Sequence, residues 1–195
     1  MEGRFIWMTE KKPEIIVFAG PNGSGKSTIT SFAKIIPPYI NSDDIKRTNV
    51  CSDIEAADIA EKLRNNMVDN NTSFTFETVL STRRNLDLLI RAKEQGFFIR
   101  VIYVLTRNPK INATRVKIRF ENGGHDVPVD KVYSRYERAL KLLPELIEVS
   151  DVCHIYDNSD TPFRIFKKRK NSYFYWESDY WTKNKISELT GVKLD

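Results

Sequence analysis

Short runs of β-branched and aromatic residues alternate along this chain with longer stretches in which apolar positions return every three or four residues. The first run, Ile15 to Ala19, reads as a buried strand, and a helix from Thr28 to Lys34 follows until Pro37-Pro38 stops it. Tyr39-Ile40 is a second, short strand. Ile54, Ala57, Ala60, Leu63 and Met67 mark one buried face of a helix that Asn70-Asn71 ends. Ser73 to Phe76 is a third strand; Leu86, Leu89 and Ile90 lie inward on the next helix, which Gly96 caps. Phe97 to Leu105 is almost continuously apolar, as a strand covered on both faces must be.

Val132, Tyr136, Ala139, Leu140 and Leu143 share a further helical face, and Pro144 kinks that helix or starts a new one. Asp151 to Asn158 is the fifth strand, with His154 packed rather than catalytic. Phe163–Phe166 and Tyr173–Trp176 then alternate as the arms of a hairpin, and a last helix runs from about Trp181 to Leu189. Strands alternating with helices predict an α/β fold, a five-stranded parallel sheet flanked by helices with a C-terminal antiparallel hairpin, and the G-x-x-x-x-G-K-[ST] loop from Gly20 to Ser27 behind the first strand makes it the P-loop NTPase type. The 195 residues fit one domain, 1–195, with the hairpin and last helix at roughly 162–190.

Candidate chemistry begins where the first strand ends. Gly20-Pro21-Asn22-Gly23-Ser24-Gly25-Lys26-Ser27-Thr28 fits G-x-x-x-x-G-K-[ST], a loop whose backbone N–H groups turn inward as an anion nest. A helix starting near Lys26 adds its positive end. Lys26 supplies a point charge for the β- and γ-phosphates of ATP, and the Ser27 hydroxyl is the candidate Mg²⁺ ligand. An ordinary glycine-rich turn is the plainer alternative, but the strand directly in front speaks against it.

Two other strand ends carry carboxylates at the edge where ligands sit in open α/β sheets. Asp43, after Tyr39-Ile40, is a candidate general base facing the γ-phosphate, although Ser42 or Asp43 can equally cap the next helix. Glu77, beside Thr78, is a candidate for holding a metal-bound water or a substrate hydroxyl; a helix cap is its alternative. From 107 to 138 basic residues gather on either side of Glu121-Asn122-Gly123-Gly124-His125-Asp126-Val127-Pro128. Among them are Arg107, Arg115, Arg119, Arg135 and Arg138. Two basic helices around a Gly-Gly loop are the pattern of a kinase lid, which brings cations to a transferring phosphoryl group.

Charge and cysteine usage change this picture little. A net charge of +5 suits an enzyme handling polyanions and is modest for a nucleic-acid binder, so nucleic acid is not the expected partner. Lys167-Lys168-Arg169-Lys170 reads as a solvated hairpin turn, with an RNA or membrane-surface contact as the sharper alternative. Cys51 and Cys153 have no metal spacing and suit a reducing cytoplasm. No apolar run approaches a membrane span and no signal peptide is visible. Met8-Thr9-Glu10-Lys11-Lys12 reads as a natural start just ahead of the first strand, which makes Met8 a rival to Met1.

Taken together, the P-loop, Tyr39-Ile40-Asn41-Ser42-Asp43, Phe74-Thr75-Phe76-Glu77-Thr78 and Gly123 to Pro128 with Arg135-Tyr136 resemble the zeta toxin family, in particular its compact branch of predicted ATPases. The resemblance covers about residues 13 to 160. It implies an ATP- and Mg²⁺-dependent kinase acting on the 3′-hydroxyl of the amino sugar in UDP-N-acetylglucosamine, and an antitoxin protein as a possible partner. It assigns Lys26 as the P-loop lysine and Asp43 as the base. Glu77 and Thr78 fall in a segment that touches the sugar nucleotide, and Arg119 matches the first of two lid arginines. The second lid position falls near His125, which departs from the pattern, with Arg135 able to cover the role from the next helix. Two readings from other classes compete: a polynucleotide or tRNA-directed kinase, and a non-transferring P-loop ATPase switch. The chain has no Leu-Ser-Gly-Gly signature of an ABC ATPase, and a switch has no need of a base such as Asp43.

Overall fold

A computed structural model describes residues 12–123 and 127–194. The Met1–Lys11 leader and His125 therefore lie outside the described residues. In chain order the elements are β1 (Glu14–Ala19), α1 (Lys26–Thr30), β2 (Tyr39–Ile40), α2 (Ser42–Asn49), α3 (Asp53–Asp69), β3 (Phe74–Thr78), α4 (Arg84–Glu94) and β4 (Phe98–Leu105). They continue with α5 (Pro109–Glu121), α6 (Val129–Lys141), α7 (Leu143–Val149), β5 (Val152–Asp157), β6 (Phe163–Arg169), β7 (Ser172–Tyr175) and α8 (Lys183–Thr190). One sheet runs in the order β2-β3-β1-β4-β5-β6-β7. The first five are parallel, and β6 and β7 add an antiparallel hairpin, as the hydrophobic runs predict. β1 sits between β3 and β4, so the loop that follows it emerges at the centre of the carboxyl edge.

The main core lies on one face of that sheet. Ile15, Val17, Phe74, Phe76, Val101, Tyr103 and Ile155 alternate inward from the strands and meet Leu86, Leu89, Leu143, Leu146 and Ile186 from the helices. A second, small cluster of Val116, Val127 and Val132 ties α5 to α6. These two helices therefore share a core of their own above the sheet edge.

Three local expectations give way to competing contacts. The helix after the P-loop ends at Thr30 rather than Lys34, leaving Phe32 89% exposed. The Thr30 and Ser31 hydroxyls bond back to the carbonyls of Lys26 and Thr28. Just beyond, Ile36 exchanges two hydrogen bonds with the Thr75 hydroxyl, which draws the chain onto β3. In α3 the buried stripe is Ala56, Ala60, Arg64 and Val68, so an arginine occupies the place expected for Leu63, which is 41% exposed.

The basic run of the hairpin is not a turn. β6 continues through Arg169 and the chain reverses at Lys170, whose φ is 54°. Lys168 is buried, and its Nζ donates to the carbonyls of Ile147 (2.6 Å) and Glu148 (2.9 Å) near the carboxyl end of α7. Both cysteines are free. Burial pushes the Cys153 thiol up to about 12, with Lys168 opposing, so it is no nucleophile.

His154 is half-buried on β5 and stacks on Tyr156, as a packed rather than catalytic histidine should. Burial, then Arg164, Lys167 and Arg100, lower its pKa to about 4. The unfolded chain takes up this proton near pH 6.5 and the folded chain only near pH 4, so stability falls as pH drops through that window. His154→Phe is expected to flatten the decline in melting temperature between about pH 6.5 and 4. A decline as steep as in wild type would show that other groups carry it.

Candidate active site

The P-loop of residues 20–27 is shaped by glycines that no other residue can replace. Gly20 has φ 142°, and a Cβ there would stand 1.9 Å from the Val104 carbonyl oxygen of β4. Gly25, in the left-handed region at φ 88°, is the N-cap of α1, and a Cβ there would meet the Asn158 amide at 2.1 Å. Two side chains remote in sequence then clasp the loop. Asn112 of α5 donates to the Asn22 carbonyl (2.6 Å), and Asn158, just past β5, donates to the Ser24 carbonyl (2.8 Å). Arg115 locks the second clasp by donating to the carbonyls of Asn158 (2.7 Å) and Ser159 (2.8 Å). Backbone amides committed to one shape before the ligand arrives lose less freedom when they bind it.

Lys26 is buried, and its Nζ donates to the carbonyls of Gly20 (2.8 Å) and Pro21 (3.1 Å). Glu77 lies 3.9 Å away, an electrostatic neighbour rather than a hydrogen-bond partner. Burial lowers the Lys26 pKa; Glu77 and Asp43 oppose that shift and Arg119 adds to it. These four charges therefore share one small space.

That space is a cavity of about 280 Å³ lined by Lys26, Ser27, Asp43, Glu77, Thr78 and Arg119, among others. A larger cavity, about 1040 Å³, adjoins it and shares Ser27, Asn41, Asp43 and Arg119. The Asn41 side chain caps α2 by accepting from the Asp43 amide at 2.9 Å, so the Asp43 carboxylate is not spent on capping. It stands exposed where the two cavities meet.

Glu77 is oriented by a residue that sequence reasoning missed. Tyr39 donates its hydroxyl to Glu77 Oε2 at 2.9 Å and accepts from the Asn41 amide at 3.3 Å. Burial and the nearby Glu77 raise the phenol's pKa, so it remains a donor. The register Tyr39↔Thr75 places Tyr39 on the same sheet face as Glu77, a relation visible only once β2 is paired with β3. Thr78 accepts from Asn85 at 2.8 Å and faces the smaller cavity.

The arginines divide. Arg119 lines both cavities and Arg115 the smaller one, whereas Arg135 reaches the P-loop from outside, 3.4 Å from Asn22 Oδ1. Arg107 pairs with Asp160 and Asp157 and stacks on Tyr180, which fixes the start of the α5 segment to the C-terminal part of the chain. Ser27, with Glu77 lining the same cavity, presents hard oxygen donors beside the phosphate nest, which fits Mg²⁺ carried with the phosphates.

A P-loop, a carboxylate opposite it and a two-helix basic segment above them define a recognisable arrangement, and comparison with known proteins supplies its family. The zeta toxin family model matches residues 30–171, well over half of the chain. The chain belongs to the zeta toxin family. It is 32% identical over 137 residues to an uncharacterized protein of Haemophilus influenzae strain Rd, covering 67% of this chain and 96% of that one. Its fold is similar to that of a chain in the AvrRxo1-ORF1:ORF2 complex solved with ATP, with TM-score 0.70 at 14% identity over 93% of this chain. This zeta toxin family chain spans 64% of that longer one. A chain from the PezAT toxin–antitoxin system of Streptococcus pneumoniae has TM-score 0.56 at 17% identity, covering 78% of this chain and 70% of that one. At these identities the structural likeness establishes the P-loop kinase-like fold.

Proposed function

We propose that this zeta toxin family protein transfers the γ-phosphoryl group of ATP to a hydroxyl of a small molecule, a nucleotide sugar such as UDP-N-acetylglucosamine being the first acceptor to test. The observation that carries the reading is Asp43: a carboxylate without a hydrogen bond or ion pair among the described residues, sharing one cavity with Lys26, Ser27 and Arg119 and opening onto a second, larger one. ATP would occupy the nest with its β- and γ-phosphates at Lys26, and the acceptor would enter from the larger cavity. The acceptor oxygen bonds to the γ-phosphorus as the bond from that phosphorus to the β-bridging oxygen breaks, ADP leaves, and Asp43 receives the acceptor's proton. Mg²⁺ bound at Ser27 and the phosphates would neutralise charge on the leaving group. Glu77, held by Tyr39, and Thr78 would position the acceptor.

Arg119 would place a cation on the transferring group, and Arg135 would supply a second from α6. Arg119→Ala is expected to lower turnover by about 10²-fold, and Arg135→Ala by a similar factor. Turnover unchanged in both variants would reduce these arginines to a solvated face. AvrRxo1-ORF1 is solved together with ORF2, and PezAT is a toxin–antitoxin system, which supports an antitoxin protein as a partner here.

The experiment incubates the protein with ATP labelled at the γ-position, Mg²⁺ and UDP-N-acetylglucosamine, with parallel arms containing a bacterial metabolite extract and a short RNA. A labelled sugar nucleotide supports the reading in full, and another labelled metabolite keeps the kinase and changes the acceptor. Label on the RNA favours the polynucleotide alternative, for which the cation–aromatic pairs Arg164–Trp176 and Lys167–Phe174 offer a surface. Label only in free phosphate supports the ATPase switch.

A further inference from the structure

The arginine on the buried stripe of α3 is only thinly compensated by the fold around it. Arg64 is 8% exposed, yet its guanidinium makes no hydrogen bond to a protein acceptor among the described residues, and Nε is fully enclosed without a partner. Its compensation is the face of the Phe76 ring, 5.4 Å from Cζ to the centroid, and the more distant charge of Glu61. Burial pulls its pKa down to about 10, which still leaves it cationic at neutral pH. A buried cation with so little compensation is costly, and an apolar residue at this position would pack against Phe76 without that cost.

Arg64 lines a cleft of about 240 Å³ between α3 and α4. Arg84 and Arg91 line it from α4, with the amides of Asn65 and Asn85. Arg91 donates to Asn65 at 2.7 Å and lies 3.4 Å from Asp69, but its Nε is also enclosed and unpartnered. Arg84 pairs with Glu61 at 3.3 Å, and Asp87, the other carboxylate lining the cleft, pairs with Arg83, the residue just before α4. Glu61, Asp69 and Asp87 are thus each engaged by another arginine, and none of them bonds to Arg64. α4 begins here without a side-chain cap, so its positive end adds to the field. Asn85 also donates to Thr78, which puts the cleft one hydrogen bond away from the P-loop cavity while remaining separate from it.

We propose that the cleft between α3 and α4 is a phosphate-binding site, in which Arg64, Arg84 and Arg91 hold the oxygens of inorganic phosphate or of a phosphomonoester. A phosphate group would give the terminal guanidinium nitrogens, which are not enclosed as Nε is, the charge-assisted partner they lack, and the cleft has room for it. The site does not depend on the kinase reading, since no residue lining it lines the P-loop cavity.

The test first fills the P-loop of the full chain with Mg²⁺ and a non-hydrolysable ATP analogue. Inorganic phosphate and, in a second arm, glucose 6-phosphate are then titrated calorimetrically at constant ionic strength. Saturable binding of one equivalent is expected in wild type, weakened about tenfold in Arg84→Gln and abolished in Arg64→Leu. Tighter binding of glucose 6-phosphate assigns the cleft to a phosphomonoester, and tighter binding of phosphate assigns it to the free ion. Circular dichroism checks the fold of Arg64→Leu; should that variant not fold, Arg84→Gln, a change at an exposed side chain, decides alone. No saturation in either arm by roughly 20 mM, or equal affinity in wild type and Arg84→Gln, would mean adventitious surface binding only and would overturn the proposal.

Discussion

Asp43→Asn is expected to lower phosphoryl transfer to the acceptor by about 10²–10⁴-fold while leaving ATP affinity within about twofold of wild type. The asymmetry follows from where the carboxylate stands. It lines the mouth shared by the two cavities and takes no part in clasping the P-loop, which is the work of Asn112, Asn158 and Arg115. Phosphoryl transfer passes through a loose transition state, so the base mainly orients the acceptor and takes its proton late. The amide keeps the size of the side chain and loses its basicity. Because the Asn41 side chain is what caps α2, through the backbone amide of residue 43, the substitution leaves that cap in place. Growth offers a second readout: if the protein is a toxin of this kind, expressing wild type in a bacterium impairs growth and Asp43→Asn relieves it.

Lys26→Ala is expected to reduce ATP turnover by at least about 10²–10³-fold, to background, with the fold retained. Lys26 is buried, but its bonds go to two loop carbonyls and its charge to Glu77 and Asp43, so it contributes little apolar packing. Removing it frees the Gly20 and Pro21 carbonyls at a cost of about 1 kcal/mol each and also removes a buried charge, two effects of opposite sign. Turnover and circular dichroism measured together check this. Wild-type turnover in the variant would show that the loop is not the triphosphate site.

How legible the molecule was depended on how local each signal is. The parallel strands and the hairpin were legible in alternating blocks of apolar residues, because each block forms its element nearly independently of the rest; their order was not, since β3 and not β2 lies beside β1. The P-loop was legible for the same reason: three glycines, a lysine and a serine lie within eight residues of one another. The partners that hold it were not. Asn112 and Asn158 reach Asn22 and Ser24 across separations of 90 and 134 residues, and nothing in their own neighbourhoods marks them as ligands of a loop. Tyr39 needed the β2–β3 register before its reach to Glu77 had meaning. Arg64 and Lys168 misled in another way. Helical period and charge both argue that such residues face water, whereas tertiary contacts turned one toward Phe76 and the other onto the carbonyls near the end of α7.

The central claim is that the γ-phosphoryl group goes to an acceptor hydroxyl rather than to water. The measurement that tests it most directly is the partition of labelled γ-phosphate between acceptor and free phosphate, in wild type and Asp43→Asn, at matched saturation with ATP. A kinase of the proposed kind places most of the label on the acceptor in wild type. In Asp43→Asn that share collapses while the slow release of free phosphate changes little. Label released to water in the same proportion by both proteins would contradict the account.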